Sequence, residues 1–343
     1  MDQPPKESRV RLLFITQKIH ERDDDLAFAI LWIKQFEREG FDVSVICLES
    51  GEFDGSFPVY SLGKERGVGK LGRALRFLAL IATLDYDRVF VHMNPEYFTL
   101  GGWWWALTRT PAYFWYTHYT LSFHVRLAGL LARRLFAATA QSLPQYEGNA
   151  KKVVLGHGID VAFWDAPPEL PRPDAHRLIA VHRLSRSKRL EQGLRTLALL
   201  PDAYSLAVYG RAIDPPYYEE LRNLVRALGL GARVTFEGPV PMQELRSVYP
   251  RHRLMLNMAY ETIDKTMLEG MLYGVYPVTT PRNARAIGLP VFPEDETPEA
   301  LAAFIEGGAW ERIGKGELRR IVEERHGLTA LVARMAAYLR SGT

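Results

Sequence analysis

The chain has 343 residues, of which 47% are hydrophobic and 24% are charged, and its formal net charge is +3. This composition is typical of globular proteins and excludes disordered, collagen-like and coiled-coil chains. The small net charge gives no reason to expect nucleic acid as a partner, and the single cysteine, Cys47, excludes an intramolecular disulfide. At about 150 residues per domain, the length indicates two domains.

The apolar segments of the sequence are too short for a membrane span, and the first residues carry charges where a signal peptide would need an apolar segment. The longest uncharged candidate, residues 97–108, is shorter than the roughly 18 residues that a spanning helix needs. The use of a single cysteine also fits a reducing compartment. The sequence therefore predicts a cytoplasmic protein.

Short apolar runs alternate with amphipathic segments through the first half of the chain. Strands are predicted at residues 10–16, 41–48, 58–62, 87–93, 112–118 and 136–142. Helices are predicted at residues 26–40, 71–84, 98–107 and 121–135. This alternation is typical of a parallel sheet that helices cover on both faces.

The alternation stops at residues 165–176, which contain four prolines, and then restarts. Strands are predicted at residues 177–183, 204–210, 232–238, 254–260 and 276–280, and helices at residues 190–200, 215–230, 242–250 and 265–274. We therefore predict an α/β fold of two doubly wound, Rossmann-like domains, residues 1–164 and 165–327. Ligands of such sheets bind beyond the carboxyl ends of the strands, so we expect the site in a cleft between the domains.

Residues 67–72 match the G-x-G-x-x-G pattern of dinucleotide-binding loops. That pattern must follow a strand directly and needs an acidic residue at the end of the next strand. Here residues 62–66 intervene, and Asp85 and Asp87 precede the next strand. We therefore favour a glycine-rich loop leading into a basic helix, and keep an NAD site as a minor alternative.

Basic residues follow the first strand of the second domain. Arg183, Arg186 and Lys188 lie in a strand-to-helix loop at the expected carboxyl edge of the sheet. Cations beside a helix N-terminus are suited to binding a diphosphate. The spacing alone is equally consistent with an exposed, solvated loop.

Glu261 and Glu269 form a Glu-x7-Glu pair after the strand predicted at residues 254–260. Such pairs also arise by chance, so the position of this pair is its main support. Glu261 would lie on a loop at the edge of the sheet, and Glu269 one to two turns into the next helix. Carboxylates in such different surroundings indicate separate hydroxyl contacts rather than a pair of glycosidase acids.

Four separated motifs occur in an order that resembles the retaining GT-B glycosyltransferases of glycosyltransferase family 4. They are Gly-His-Gly-Ile-Asp at residues 156–160, His-Arg-Leu-Ser-Arg-Ser-Lys at 182–188, the Glu-x7-Glu pair, and Gly-Met-Leu-Tyr-Gly-Val-Tyr-Pro-Val-Thr-Thr at 270–280. The family carries (N/H)-G-(I/V)-D, then G-R-L-x-x-x-K, then E-x7-E leading into E-A-M-A-x-G-x-P-V-V. The resemblance covers most of residues 150–280. It implies a GT-B fold in which a C-terminal helix, about residues 328–343, packs back on the N-terminal domain.

The resemblance implies a role for each matching residue. Arg183 and Lys188 would hold the diphosphate of a nucleotide-sugar donor, and Glu269 would hold the ribose hydroxyls. Glu261 would approach the donor sugar, and His118 would lie against the sugar that is transferred. The other donor-side residues are Gly238, near the base, and the helix start formed by Asp264, Lys265 and Thr266. The implied catalytic residues are His118, Arg183, Lys188 and Glu261.

The chain departs from the family pattern at three places. His182 replaces the glycine of G-R-L, residues 262–264 (Thr-Ile-Asp) replace G-F-G, and the family's N-terminal glycine-rich loop is missing. In place of that loop stands an acidic run, residues 23–25, which is either a solvated helix start or a contact to a sugar. Glycines on both sides of a histidine also fit a simple tight turn. The residues assigned to the acceptor or sugar side are Asp24, Asp25 and His157.

The expected chemistry is sugar transfer without a cofactor, from a UDP- or GDP-linked donor to a glycolipid or polysaccharide acceptor. Cleavage of the sugar–phosphate bond places negative charge on the leaving diphosphate, which fixed cations stabilise. Since no Asp-x-Asp motif accompanies the basic loop, we expect no metal ion to be needed. Retention of the anomeric configuration is implied by the resemblance alone.

Two segments raise the question of membrane docking. The run Trp103-Trp104-Trp105 offers interfacial aromatic residues. Four basic residues fall within an arc of about 120° on one predicted helix: Arg66, Lys70, Arg73 and Arg76. An ordinary surface helix is one interpretation, and peripheral docking on the anionic inner face of the plasma membrane is the other.

Two other functional classes stay open. A catalytically inactive, GT-B-like binding protein would explain the departures at His182 and residues 262–264, since a fold does not imply an activity. An NAD-dependent Rossmann enzyme would rest on residues 67–72.

Overall fold

The computed structural model describes residues 9–23, 26–119, 121–165, 173–260 and 262–342. These residues form two compact units. One contains the chain up to Gly158 together with the segment from Leu328 onward, and the other runs from Ile159 to Gly327.

The first unit is built on a parallel sheet of seven strands in the order β3-β2-β1-β4-β5-β6-β7. The strands are β1 (Arg11–Ile19), β2 (Asp42–Ser50), β3 (Val59–Ser61), β4 (Arg88–His92), β5 (Ala112–Tyr116), β6 (Arg134–Ala137) and β7 (Lys152–Val154). The helices are α1 (Phe28–Arg38), α2 (Lys70–Thr83), α3 (Glu96–Leu107), α4 (Phe123–Leu131) and, at the end of the chain, α12 (Leu328–Ser341). This strand order is that of a doubly wound sheet, which reverses direction between β1 and β4.

Helices cover both faces of this sheet, which is why its strands are apolar runs. One face packs against α1 and α12, where Trp32, Phe36 and Met335 are fully buried. The other face packs against α2, α3 and α4, which contribute Phe77 and Phe98.

The second unit has a parallel sheet of five strands in the order β10-β9-β8-β11-β12. The strands are β8 (Asp174–Val181), β9 (Ser205–Tyr209), β10 (Val234–Gly238), β11 (His252–Asn257) and β12 (Tyr276–Thr279). The helices are α5 (Leu190–Leu199), α6 (Pro215–Ala227), α7 (Met242–Val248), α8 (Lys265–Leu272), α9 (Pro281–Ile287), α10 (Pro298–Glu306) and α11 (Lys315–His326). Here the winding reverses between β8 and β11, so a ligand site is expected where these two strands end.

The boundary between the units falls at Ile159, ahead of the predicted boundary at residue 165. Ile159 forms a parallel bridge with Gly327, and its backbone N–H donates to the carbonyl of His326 at 2.7 Å. The chain therefore enters and leaves the second unit side by side. The helix predicted near residues 328–343 is α12, which belongs to the first unit.

The predicted elements and the structure differ at several places. The helix predicted at 121–135 ends at Leu131, because Ala132 is extended and β6 starts at Arg134. The short strand β7 and the helices α9, α10 and α11 were not predicted. The proline-rich segment contains the start of β8 at Asp174, while its residues 166–172 lie outside the described part of the chain. Within the described residues, no helix has the length and apolarity that crossing a membrane requires.

Candidate active site

The loops that follow β8 and β11 meet at the carboxyl edge of the second sheet. The Arg189 side chain, in the loop after β8, donates from Nε to the carbonyl of Met258 at 2.9 Å. Thr266, in the first turn of α8, donates from Oγ1 to the carbonyl of Val181 at 2.7 Å. The basic loop and the start of α8 are thus joined at the position where a doubly wound sheet binds its ligand.

Lys188 and Asp264 form a buried ion pair at this junction. The Nζ atom of Lys188 donates to Asp264 Oδ1, and the two side chains are 9% and 13% exposed. Asn257, the last residue of β11, donates from Nδ2 to Asp264 Oδ2 at 2.9 Å. Burial alone would raise the pKa of Asp264, but the charges of Lys188 and His182 and the two hydrogen bonds hold it below its usual value. Asp264 is therefore a fixed carboxylate beside the cation that the resemblance assigns to the diphosphate.

The three cations of the loop have different surroundings. Arg183 is exposed, whereas Lys188 is buried. Arg186 is exposed and held by Glu220, to which its two terminal nitrogens donate at 2.9 and 2.6 Å. Arg186 is therefore committed to a surface ion pair, and the Arg186→Ala change is a control within the same loop.

Glycine at position 210 sets the path of the basic loop. Gly210 follows β9 with φ +141°, and a Cβ there would stand 1.9 Å from the carbonyl oxygen of His182. Any side chain would thus displace the backbone that carries the loop. Gly238 lies farther along the same edge, at the end of β10, where its carbonyl accepts from the N–H of Gly210 at 2.8 Å.

Glu269 is buried on α8, one turn after Lys265. The hydroxyl of Tyr249, itself fully buried, donates to Glu269 Oε2 at 3.2 Å. Burial raises the pKa of Glu269 to about 7, although Lys265 and the Tyr249 hydroxyl oppose the rise. Burial also lowers the pKa of Lys265 well below its usual range. Burial thus destabilises the ionised form of Glu269. Hydrogen bonds donated by a ligand, such as those of a pair of hydroxyl groups, would stabilise it.

Glu261 lies outside the described residues, but the residues on either side of it are hydrogen-bonded by Asn283. Asn283 is fully buried on α9, and its Nδ2 donates to the carbonyl of Ala259 at 2.7 Å and to that of Thr262 at 3.5 Å. These two carbonyls lie on either side of Glu261. Asn283 therefore ties together the described residues on the two sides of position 261.

Replacing Asn283 with alanine should lower the free energy of unfolding by about 1–3 kcal/mol, because it leaves a buried carbonyl without its donor. If Glu261 approaches the donor sugar, the variant should also lose most of its kcat, while its affinity for the nucleotide alone stays near that of the wild type. Denaturant titration and calorimetry check these expectations. The Asn283→Asp variant keeps the shape but loses the donor, and an unchanged kcat in both variants would remove Asn283 from any positioning role.

The candidate residues of the first unit lie on loops beyond its strands. His118 comes two residues after β5, its ring edge-on to that of Tyr116 with centroids 5.4 Å apart. His157 is buried between two glycines with positive φ. A Cβ on Gly158 would come within 2.4 Å of the Trp32 ring, whose indole N–H donates to the Gly158 carbonyl at 3.0 Å. The glycine is thus needed for a close packing contact.

The acidic run at residues 23–25 is described only at Asp23. That carboxylate is buried, pairs with Lys18 at 2.8 Å, and accepts from the backbone N–H of Leu26 at 2.8 Å. Asp23 is therefore a structural ion-pair partner rather than a solvated helix start. Asp24 and Asp25 lie outside the described residues.

The glycine-rich segment at residues 67–72 lacks the context of a dinucleotide loop. A 3₁₀ turn, Lys64–Arg66, separates it from the edge strand β3, whereas the winding of the sheet reverses beside β1. An NAD site there is not supported. Across the described ranges, no group of three or more His, Cys, Asp or Glu side chains is arranged to hold a metal ion.

Several residues that shape this site were missed by sequence reasoning. Asn257 had a usable signal, since it is a polar residue ending an apolar strand at the carboxyl edge. Gly210 likewise follows a strand directly. Tyr249 and Asn283 gave no local signal, because each acts through a contact distant in sequence.

Known proteins resemble this chain in part of its sequence and in its fold. Residues 164–286 match the family described as Glycosyl transferases group 1, while a search of curated protein sequences gives no match. Anabaena HepE in complex with UDP and glucose has a TM-score of 0.77 and 17% identity, with coverage of 97% of this chain and 100% of that chain.

Two further solved structures are similar over their whole length. Sucrose-phosphate synthase from Thermosynechococcus elongatus has a TM-score of 0.77 at 16% identity, covering 97% of this chain and 99% of that chain. WaaG, a glycosyltransferase involved in lipopolysaccharide biosynthesis, has a TM-score of 0.67 at 15% identity, covering 96% and 99%. The fold is GT-B, with two Rossmann-like domains, and the resemblance to group 1 glycosyltransferases is confirmed. Membership of family 4 and retention of configuration stay predictions.

Proposed function

Because residues 164–286 match group 1 glycosyl transferases, we propose that this chain transfers a sugar from a nucleotide-sugar donor to a glycan or lipid-linked acceptor. The observation that carries the proposal is the junction of the basic loop with the start of α8, made by Lys188 and Asp264 at the end of β8. Cations and the N-terminus of a helix converge there, which is the arrangement that a diphosphate requires.

The donor is proposed to be UDP-linked rather than GDP-linked. HepE, which shares the fold, has been solved in complexes with UDP and with UDP-glucose. In this chain the diphosphate would lie against Arg183 and Lys188, and the ribose hydroxyls would donate to Glu269. Gly238, at the neighbouring strand end, would border the base.

The chemistry proposed for the site is electrostatic. As the bond to the sugar breaks, negative charge grows on the leaving diphosphate, and Arg183, Lys188 and the backbone N–H groups opening α8 stabilise it. These groups supply the positive charge that a metal ion would otherwise bring, so the transfer is proposed to be metal-independent. Retention of configuration, with Glu261 and His118 beside the sugar, follows the family resemblance.

The acceptor is proposed to be a glycolipid or a polysaccharide precursor. WaaG, which shares the fold, takes part in lipopolysaccharide biosynthesis. His157, Asp24 and Asp25 remain the proposed acceptor-side or sugar-side residues.

Calorimetric titration with UDP, GDP and ADP tests the donor site. We expect UDP to bind selectively, and the Arg183→Ala, Lys188→Ala double variant to weaken its binding by about 100-fold or more, since the two charged contacts contribute about 1.5–3 kcal/mol each. Arg186→Ala, in the same loop but bound to Glu220, should change the affinity by less than about threefold. Equal weakening by the control, or no UDP binding at all, would contradict the proposed donor site.

Turnover of UDP-glucose separates a transferase from an inactive relative. The inactive alternative draws support from Asp264, which neutralises Lys188 where the family has a glycine. A transferase should release UDP in the presence of a glycan or lipid-linked acceptor, with or without EDTA, and NMR of the product should show the donor's anomeric configuration. UDP binding without release of UDP would favour the inactive binding protein, and strict dependence on Mn²⁺ or Mg²⁺ would refute metal independence.

A further inference from the structure

Helices α2, α3 and α4 form one layer over a face of the first sheet, and their outer surface is unusual. α3 lies between the other two, and adjacent glycines let it approach both. A Cβ on Gly101 would meet Ile81 of α2 at 3.0 Å, and a Cβ on Gly102 would meet Leu131 of α4 at 2.6 Å. The side chains pointing outward from these helices therefore belong to one continuous surface, which we call the α2–α4 face.

Large apolar side chains are exposed on all three helices of the α2–α4 face. They are Leu71 and Leu75 on α2, Trp103 and Leu107 on α3, and Phe123 and Leu130 on α4, each between 54% and 74% exposed. Isolated exposed apolar residues are common on soluble proteins, but a group spread over three packed helices indicates an interaction surface. Two residues that the sequence analysis assigned to the docking segments do not belong to this face. Trp105 is in the core, and Arg66 lies in the 3₁₀ turn before α2, so it does not share the helical arc of the other basic residues.

The charge of the α2–α4 face is one-sided. The three helices contain a single acidic residue, Glu96. Their basic residues are Lys70, Arg73, Arg76 and Arg126. None of these four side chains forms an ion pair within the described part of the chain. An apolar surface with an excess of unpaired cations is complementary to an anionic membrane surface.

A basic pocket opens next to this face, at the N-terminal ends of β5 and β6. Its volume is about 680 Å³, and its described lining includes four basic residues and no acidic one. The basic residues are Arg109, Arg133, Arg134 and Lys151. Two of the exposed apolar residues are sequence neighbours of its lining: Leu107 lies two residues before Arg109, and Leu130 adjoins Leu131.

The cations of the pocket are built into the fold. Lys151 donates from Nζ to the carbonyls of Gly129 and Leu130, at 3.2 and 2.9 Å, and so holds the C-terminus of α4. Burial lowers the pKa of Lys151, and the nearby charges of Arg133 and Arg134 lower it further. The Nε atom of Arg134 is buried and has no hydrogen-bond partner among the described residues.

Arg109 is held at the pocket by a backbone conformation that arginine rarely adopts. Its φ is +56°, in the left-handed region that favours glycine or asparagine. This conformation ends α3: the backbone N–H of Thr110 donates to the carbonyl of Trp105 at 2.9 Å, which closes the last helical turn and places Arg109 in the lining of the pocket.

We propose that the α2–α4 face docks on an anionic phospholipid bilayer, with the pocket of Arg109, Arg133, Arg134 and Lys151 binding a lipid phosphate and Leu107, Leu130, Trp103 and Phe123 entering the lipid. The pocket supplies several donors for one phosphate, and its apolar rim belongs among acyl chains. Docking of this kind holds the first unit at the surface where a lipid-linked acceptor would be presented. The proposal concerns membrane binding and does not depend on catalysis.

Co-sedimentation of the full chain with vesicles tests the docking. Vesicles of pure phosphatidylcholine are compared with vesicles containing 30% phosphatidylglycerol in 0.15 M salt. We expect binding to the anionic vesicles alone, about 25-fold weaker in the Arg109→Ala, Arg133→Ala variant, since each basic residue contributes about fivefold. The Leu107→Ser, Phe123→Ser variant should also lose binding, because burial of apolar area contributes alongside charge. Circular dichroism and a thermal unfolding transition like that of the wild type confirm that each variant is folded.

A matched charge control is Arg195→Ala, Arg226→Ala, which removes two exposed cations from the second unit. Vesicle binding that this pair weakens as much as the pocket variant would overturn the proposal, because it would show a response to net charge only. Equal binding to both vesicle types would overturn it too. Glycerol phosphate at 10 mM distinguishes a soluble ligand from a lipid: binding of glycerol phosphate in the pocket together with no vesicle binding would refute the membrane assignment.

Discussion

Replacing Lys188 with methionine should lower the free energy of unfolding by about 3–5 kcal/mol, because it leaves the buried carboxylate of Asp264 without its cation. The same change should weaken UDP binding by about 10-fold or more if Lys188 also holds the diphosphate. Asp264 would then be protonated or hydrated at a cost to the packing of α8 against β8. Urea denaturation and calorimetry measure the two effects separately.

The double variant Lys188→Met, Asp264→Asn separates the structural role from the binding role. Removing both charges should return the stability to within about 1 kcal/mol of the wild type, since Asn257 can still donate to the new amide oxygen. UDP binding should stay about 10-fold or more weaker than in the wild type. Wild-type UDP affinity in this double variant would mean that Lys188 serves the fold alone and that the diphosphate lies elsewhere.

The Glu269→Gln variant should be more stable than the wild type above pH 7 and weaker in donor binding. The folded state holds the pKa of Glu269 at about 7, above the value of 4.5 expected when unfolded. The folded state thus binds the proton more tightly, so the wild type loses stability as the pH rises from about 4.5 to about 7. Glutamine removes this loss, and we expect a gain of about 2–3 kcal/mol at pH 8 and almost none at pH 4.5.

Donor binding should show the opposite dependence on pH. Ribose hydroxyls donate to the ionised carboxylate, so the affinity for UDP-glucose should rise as the pH increases towards 7 and then level off. The glutamine variant should bind about 10-fold or more weakly and without this pH dependence. Thermal unfolding and calorimetry between pH 5 and pH 9 provide the test. A wild-type affinity that does not change over that range would show that Glu269 does not contact the donor.

The fold could largely be predicted from the sequence, because parallel strands buried on both faces produce apolar runs such as the one in β1. The ends of the elements were harder to predict. α4 stops at Leu131 although its sequence continues with good helix formers, because residues 134–137 are needed as a strand in the sheet. That requirement is tertiary, and no local pattern expresses it. The same holds for β7, which is too short to give a periodic signal.

The features of the candidate site could likewise be predicted only in part. Arg183, Lys188 and Glu269 could be proposed because they recur at fixed spacing around strand ends. The ion pair of Lys188 with Asp264 could not, since it joins two loops 76 positions apart in the sequence. Nor could the support that Asn283 gives to the loop flanking Glu261. The sequence therefore indicates which groups meet a ligand, whereas the structure shows what holds those groups in place.

The path of the chain at Ile159 and Gly327 has a consequence for the order of events during synthesis. The first unit includes α12, whose Leu331, Met335 and Leu339 are fully buried in its core. That core stays incomplete on the ribosome until after the whole second unit has emerged. The N-terminal domain usually folds first during synthesis. Here the second unit can fold while the first still exposes the surface of α1 that α12 covers.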